Sequence, residues 1–296
     1  MIKTERLTLD KQELFKSYYK NMRESIYNFT NLFMWAMYDR ITYIETNGFI
    51  VPIFQHALTP PSALFPVGAG DFKKAVHTVG EYLKSRGCTP VFRQLSAEMK
   101  KKLESAFPGS FEFIPNRDSS DYIYETAKMI SHSGKKLHSK KNHLNYFRNN
   151  YDFTYSPITE DDIEDCRSLF LRWQGSKDTG DKFIDDSIEA TNRILDNYAA
   201  LGVRGGCIRV GGELAAFSIG EQTCPDMALI HLEVASGELR GAFNIINQQF
   251  CEHEWSELSY VNREEDMGLA GLRQAKLAYA PCEISECYNA VETGNF

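Results

Sequence analysis

No stretch of this 296-residue chain is apolar for long enough to cross a bilayer, which takes about 20 predominantly apolar residues in a helix. The opening residues, "MIKTERLTLDKQELFK", mix both signs of charge and lack the apolar centre of a secretory leader. No CxxC pair occurs among the seven cysteines, at 88, 166, 207, 224, 251, 282 and 287. That spacing argues against a disulfide framework or a zinc site, so no metal is expected and the thiols are expected reduced, in a cytoplasmic protein. GxSxG, Walker and dinucleotide fingerprints are also missing, which removes the reactions that depend on them. Basic residues are outnumbered, 33 Lys/Arg against 40 Asp/Glu for a net charge of −7. Such a chain does not coat nucleic acid, and any contact with a polyanion must be local.

What is present is a globular composition, 43% hydrophobic and 25% charged, and a pattern that occurs twice. "ITYIETNGFIVPIF" (Ile41–Phe54) has two β-rich runs around Asn47-Gly48, a strong hairpin signal. "GCIRVGGELAAFSIGEQ" (Gly206–Gln222) repeats it around Gly211-Gly212, 164 residues later. Each hairpin is followed by a strand, a helix, a strand, a helix and a closing strand; the first half closes on "FEFIP" and "DYIYE", the second on "EISECYNAV". The second half opens on helical patterns, "TEDDIEDCRSLFLRWQGSK" and "DDSIEATNRILDNYAAL". The order predicts two α+β units with mixed sheets of about six strands, helices covering the faces. The expected boundaries are 1–132, a junction helix at 133–151, and 152–296.

The junction collects positive charge. Between Thr126 and Tyr151 stand six Lys/Arg, three His and no carboxylate, leaving 27 against 40 elsewhere. Leu137, Leu144, Phe147 and Tyr151 fall on one helical stripe, with Lys136, Lys140 and His143 on a neighbouring face. Two readings stay open. The helix is a solvated connector, or Lys136, Lys140 and Lys141 bind a phosphate-bearing donor or the end of an RNA.

Elsewhere, "ALIHLEVAS" reads as a strand whose alternation puts Leu229, His231, Glu233 and Ala235 on one face. A His/Glu pair on a strand face suits a cleft with a general base, or a face simply open to water. In "VNREEDMGLAGLRQAKLAYAP", Arg273 and Lys276 share a helix face, either towards an anionic ligand or in ion pairs with Glu264, Glu265 and Asp266. Asn262 ends the strand before them, where it could orient an acceptor.

Three motifs carry a resemblance: "GKKLHSKKNHLNYF" at the junction, "HLEVASGELRGAFNIINQQF" and "NREEDMGLAGLRQAKLAYAP". The chain resembles the C-terminal domain family of phosphatidylglycerol lysyltransferase from about Ile26 to Val291. That family is a tandem duplication of a GNAT-like (N-acyltransferase-like) domain, related to the Fem aminoacyltransferases, which use aminoacyl-tRNA. The resemblance implies a catalytic centre in the second half, with Glu233 as base, His231 beside it, and Tyr279 where GNAT enzymes place the tyrosine that protonates the leaving group. It also implies a donor loop of the form Q/R-x-x-G-x-G/A. Here that loop reads "ELRGAF", with Glu238 first and Phe243 last, so only Arg240 and Gly241 remain useful to coenzyme A. An acidic residue and a bulky ring there weigh against a pyrophosphate.

The expected function is therefore transfer of an activated acyl group, from aminoacyl-tRNA, to an amine or hydroxyl acceptor. The alternatives are an acyl-coenzyme A-dependent N-acyltransferase and a ligand-binding relative without catalysis. No tightly bound cofactor is expected. The co-substrate is aminoacyl-tRNA or acyl-coenzyme A, the partner a tRNA acceptor end, and the acceptor a small molecule, a peptide or a lipid head group.

Overall fold

The computed structural model describes residues 2–175 and 183–294. They form two compact units, Met1–Ser120 with Ser285–Phe296, and Asp121–Ile284. The last residues of the first predicted helical pattern, Ser176 and Lys177, lie outside the described residues.

In the first unit, helices α1 (Gln12–Tyr18) and α2 (Phe29–Trp35) follow a short strand β1 (Glu5–Arg6). The hairpin of β2 (Thr42–Thr46) and β3 (Phe49–Phe54) turns at Asn47 and Gly48, with φ of 51° and 83°. A two-residue turn needs positive φ at both positions, which Asn-Gly accepts at low cost. Strands β4 (Ser62–Leu64), β5 (Val67–Gly68), β6 (Val91–Leu95) and β7 (Phe111–Pro115) alternate with α3 (Phe72–Ser85) and α4 (Ala97–Ala106). Asp71 caps α3, its side chain accepting from the Lys74 amide at 3.0 Å.

The second unit runs β8 (Tyr122–Glu125), α5 (Thr126–Ser131), α6 (His138–Asn150), β9 (Phe153–Pro157), α7 (Ile163–Gly175), α8 (Phe183–Asp196) and α9 (Tyr198–Leu201). It continues through β10 (Arg204–Val210), β11 (Glu213–Cys224), β12 (Met227–Ala235), α10 (Ala242–Glu254), β13 (Tyr260–Asn262), α11 (Ala270–Leu277) and β14 (Glu283–Ile284). The final strand, β15 (Tyr288–Glu292), belongs to the first unit.

The sheets correct the expected boundaries. Among the described residues, the first has eight strands in the order β1-β2-β3-β4-β6-β15-β7 with β5 on β3, and the second has seven, β14-β8-β13-β12-β11-β10-β9. "DYIYE" does not close the first sheet: as β8 it pairs with β13 and β14 in the second. The C-terminal strand β15 lies between β6 and β7 in the first. A strand's periodicity records which of its faces is buried, not which neighbour supplies its hydrogen bonds, so the exchange has no local signature. The basic helix is no separate connector either. Leu144 and Phe147 of α6 are buried against Ile245 and Ile246 of α10, which makes α6 part of the second core.

Candidate active site

Strand β12 sets out the site. It runs parallel to β13 for three residue pairs, ending at Leu229↔Asn262. Past that point β12 continues for six residues with no strand partner on this side among the described residues, so the sheet opens into a cleft. On the other side its register with β11 slips: Ile219 faces Leu232, but Gly220 faces Ile230, leaving His231 as the extra residue of a β-bulge. The bulge overturns the simple alternation expected for "ALIHLEVAS". Ala228 and Ile230 are in one apolar cluster with Phe250 and Cys251 of α10, and Ala235 is in another with Ala242 and Ile245. Glu233 meets the same helix through Asn247. These four face α10, whereas His231 turns to Glu221 and Glu264.

A cavity of about 440 Å³ occupies the cleft, with Glu233, Arg263, Tyr279, Asn244 and Lys140 among its lining residues. Glu233 accepts from Arg263 Nη2 at 2.7 Å and from Asn247 Nδ2 at 2.8 Å. The Arg263 guanidinium carbon stands 4.8 Å from the centre of the Tyr279 ring and 5.6 Å from that of Tyr124; its Nη1 has no hydrogen-bond partner among the described residues. Lys140 places its ammonium 4.4 Å from the centre of the Tyr279 ring, so two cations attend one aromatic π-system. Asn244 Nδ2 donates to the Tyr279 hydroxyl at 2.7 Å, which leaves the hydroxyl proton free to be given elsewhere. Burial pushes the Tyr279 phenol well above its usual value, Arg263 opposing and Glu233 adding to the rise, so it stays protonated at neutral pH. Burial, then repulsion from Arg263, lowers the Lys140 pKa.

His231, expected in the catalytic centre beside Glu233, is held between two carboxylates. Its side chain is fully buried, with Nδ1 3.0 Å from Glu264 Oε1 and Nε2 3.1 Å from Glu221 Oε1. Burial alone would lower its pKa, but the two carboxylates outweigh this and raise it to about 9. An imidazolium held at both nitrogens cannot take a proton as a base; it is a structural cation on the cavity wall.

Several expected ligand-binding residues are committed to the protein. Arg273 forms a two-point ion pair with the buried Asp266, both contacts at 2.8 Å. Asp266 also accepts from the Tyr122 hydroxyl and the Gly268 amide. Desolvation pushes the Asp266 pKa up, but these partners outweigh it and hold the carboxyl well below its usual range. Asn262 is fully buried between Asp121, to which it donates, and the Glu264 amide, from which it accepts. Lys276 lines the cavity but gives its ammonium to three backbone carbonyls. The donor loop is closed as well: a Cβ on Gly241 would lie 2.5 Å from the His143 carbonyl oxygen of α6. The amides of Ala242 and Asn244 already bond within the turn. Arg240 is exposed and lies over the Tyr146 ring at 4.3 Å. Of the three lysines, only Lys140 reaches the cavity; Lys136 and Lys141 are exposed.

Sequence reasoning missed Arg263, Asn244, Asn247 and His132. The signal for the asparagines was available, since polar residues at 244 and 247 fall, with Gln248, among Ala242, Ile245, Ile246 and Phe250 on the buried side of the helix. His132 ends α5 at a left-handed φ of 46°, fully buried, with neither ring nitrogen hydrogen-bonded among the described residues. Its ring centroid is 6.0 Å from that of Tyr279. Burial, then the charges of Arg148, Lys140, Arg263 and Lys141, lower its pKa to about 4, so it is neutral.

The two mixed sheets, and in the second a parallel pair that splits beside a buried tyrosine and an acid–arginine pair, define an α+β protein of GNAT-like fold. Residues 19–291 match the family model of the phosphatidylglycerol lysyltransferase C-terminal domain, and the chain belongs to that family. Among solved structures, a conserved protein of unknown function from Bacteroides thetaiotaomicron is 31% identical, with 99% of this chain and 100% of that one covered and a TM-score of 0.92. L-PGS from Bacillus licheniformis shares the fold at 16% identity, covering 99% and 94% of the chains, with a TM-score of 0.68. An uncharacterized protein of Mycoplasmoides gallisepticum is 27% identical over 182 residues, which is 59% of this chain; the chain spans 57% of that relative's length. Among the described residues no helix is long and apolar enough to cross a membrane.

Proposed function

We propose that the second unit transfers an aminoacyl group from the ribose ester of an aminoacyl-tRNA to an amine or hydroxyl acceptor. The observation that carries this reading is Tyr279, buried, kept protonated and held by Asn244 at the wall of the cavity that Glu233 and Arg263 also line. Transfer from an ester forms a bond from the acceptor to the carbonyl carbon and breaks the bond from that carbon to the ribose oxygen. Arg263, whose Nη1 has no partner among the described residues, suits the oxyanion of the tetrahedral intermediate. Glu233 takes the acceptor's proton, and Tyr279 gives one to the departing ribose oxygen. A phenol that holds its proton tightly matches a strongly basic alkoxide. The close approach of α6 to Gly241 supports the same choice, because it occupies the approach a pyrophosphate would need at the start of α10.

The experiment is incorporation of labelled amino acid from a charged tRNA pool into separate lipid, peptide and small-amine acceptor pools. Label appearing in one pool, and lost with Tyr279→Phe, is the expected result. No transfer to any pool, together with calorimetric binding of acetyl-coenzyme A, would replace this reading with the thioester one.

A further inference from the structure

Lys276 points its ammonium into the protein at a cavity wall rather than into the cavity's space. Its Nζ donates to the carbonyl oxygens of Arg263, Glu264 and Glu265 at 2.5, 3.0 and 2.5 Å. A lysine has three N–H donors, and three consecutive backbone acceptors use them all. Successive carbonyls do not converge on one point in a strand, where they alternate sides, or in a helix, where they run parallel to the axis. Here they do so only with Glu264 at a φ of 57°, in the left-handed region that a residue with a side chain seldom adopts. Burial, the largest effect, and the charge of Arg263 lower the Lys276 pKa, while Glu265, Glu264 and Asp121 favour its charged form, so it is the three carbonyl acceptors that hold the ammonium in place. From this turn Arg263 extends to Glu233 and the Tyr279 ring, and Glu264 extends to His231. Lys276 lies on α11, three residues before Tyr279.

We propose that Lys276 is a positioning residue: its ammonium is the internal cation around which the Arg263–Glu265 turn is built, and it sets Arg263 and Glu264 in the cavity wall. It touches no substrate. The consequence for catalysis rests on the transfer reaction proposed above; the clamp itself does not.

Because Lys276 lines the cavity, the clamp can be tested by chemical replacement. Lys276→Ala removes the side chain from Cγ to Nζ, and propylammonium supplies the same atoms. The first readout needs no activity: the imidazolium proton signals of His231, bonded to Glu264, and the Nε signal of Arg263. In Lys276→Ala both signals shift or broaden, and propylammonium restores them saturably. Propanol, which lacks the charge, and tetramethylammonium, which lacks N–H donors, do not. In the transfer assay kcat falls about 100-fold, the scale expected when reacting groups are misplaced by about 1 Å, and returns with propylammonium, while KM for the donor moves far less. Unchanged signals in Lys276→Ala, or equal recovery with propanol, overturn the proposal. If the variant does not fold, the wild-type protein decides: a clamped Lys276 shows slowly exchanging Nζ protons at neutral pH, and exchange as fast as that of exposed lysines overturns the clamp. If the wild type transfers nothing, the functional reading falls and the spectroscopic readouts still judge the clamp.

Discussion

Tyr279 and Glu233 line one cavity but should respond differently to substitution. Tyr279→Phe removes a hydroxyl that takes one hydrogen bond, from Asn244. Its stability cost is therefore about 1 kcal/mol, while the transfer rate falls by about 100- to 10,000-fold, the usual contribution of a general acid. Glu233→Gln removes the counter-charge of Arg263, and both side chains are largely buried, 11% and 13% exposed. Removing one partner of such a pair costs about 3 kcal/mol, so here the melting temperature falls along with the rate. Denaturant melts beside the transfer assay separate the two cases, and a Glu233→Gln protein as stable as wild type would contradict the pairing. His231 carries a pH prediction. Its folded pKa, about 9, lies above its ordinary value of 6.5. Its contribution is fully present below about pH 6.5 and lost as the pH rises through about 9, on the order of 3 kcal/mol. His231→Gln should flatten that alkaline decline in unfolding free energy, and an unaltered slope would show that the imidazolium does not cause it.

Among the elements, α6 and the start of α10 are the most tightly matched. Gly241 has a φ of 91°, and the space for a Cβ is taken by the His143 carbonyl and the Phe147 side chain. Gly241→Ala therefore strains the backbone and pushes α6 away. A loss of about 1–3 kcal/mol is expected in chemical denaturation, with Lys140 drawn off the Tyr279 ring. An alanine variant as stable as wild type would show that α6 yields at no cost. The basic window was legible as a helix with an apolar seam, because Leu144 and Phe147 recur at helical spacing. That only Lys140 meets the cavity was not legible, because Lys136 and Lys141 share its charge and differ only in where α6 lies on α10. The bulge at His231 was equally hidden. It arises from pairing with β11, and alternation along one strand carries no record of its partner's register.

At the scale of the whole chain, the first sheet depends on the last residues. Ending the chain after Ile284 removes β15 from between β6 and β7, which leaves two rows of backbone hydrogen bonds unpaired. Hydrogen exchange should then be fast across β6 and β7 while β11 and β12 keep their protection, because the second sheet takes no strand from beyond Ile284. Protection retained in β6 and β7 would count against the observed strand order. The sequence by itself determined the element types, both hairpins and the repeated order, for turn chemistry and periodicity are local and survive in one strand's worth of residues; the family was carried by the resemblance of three motifs. It also placed Glu233 and Tyr279 as candidates. Only the tertiary structure decided that β8 and β15 enter the sheets they do, that His231 is a locked cation, and that Arg263 stands beside Glu233. Each of these depends on which groups meet across long stretches of chain, and ladder pairing, burial and charge partnership are properties of the meeting, not of either residue alone.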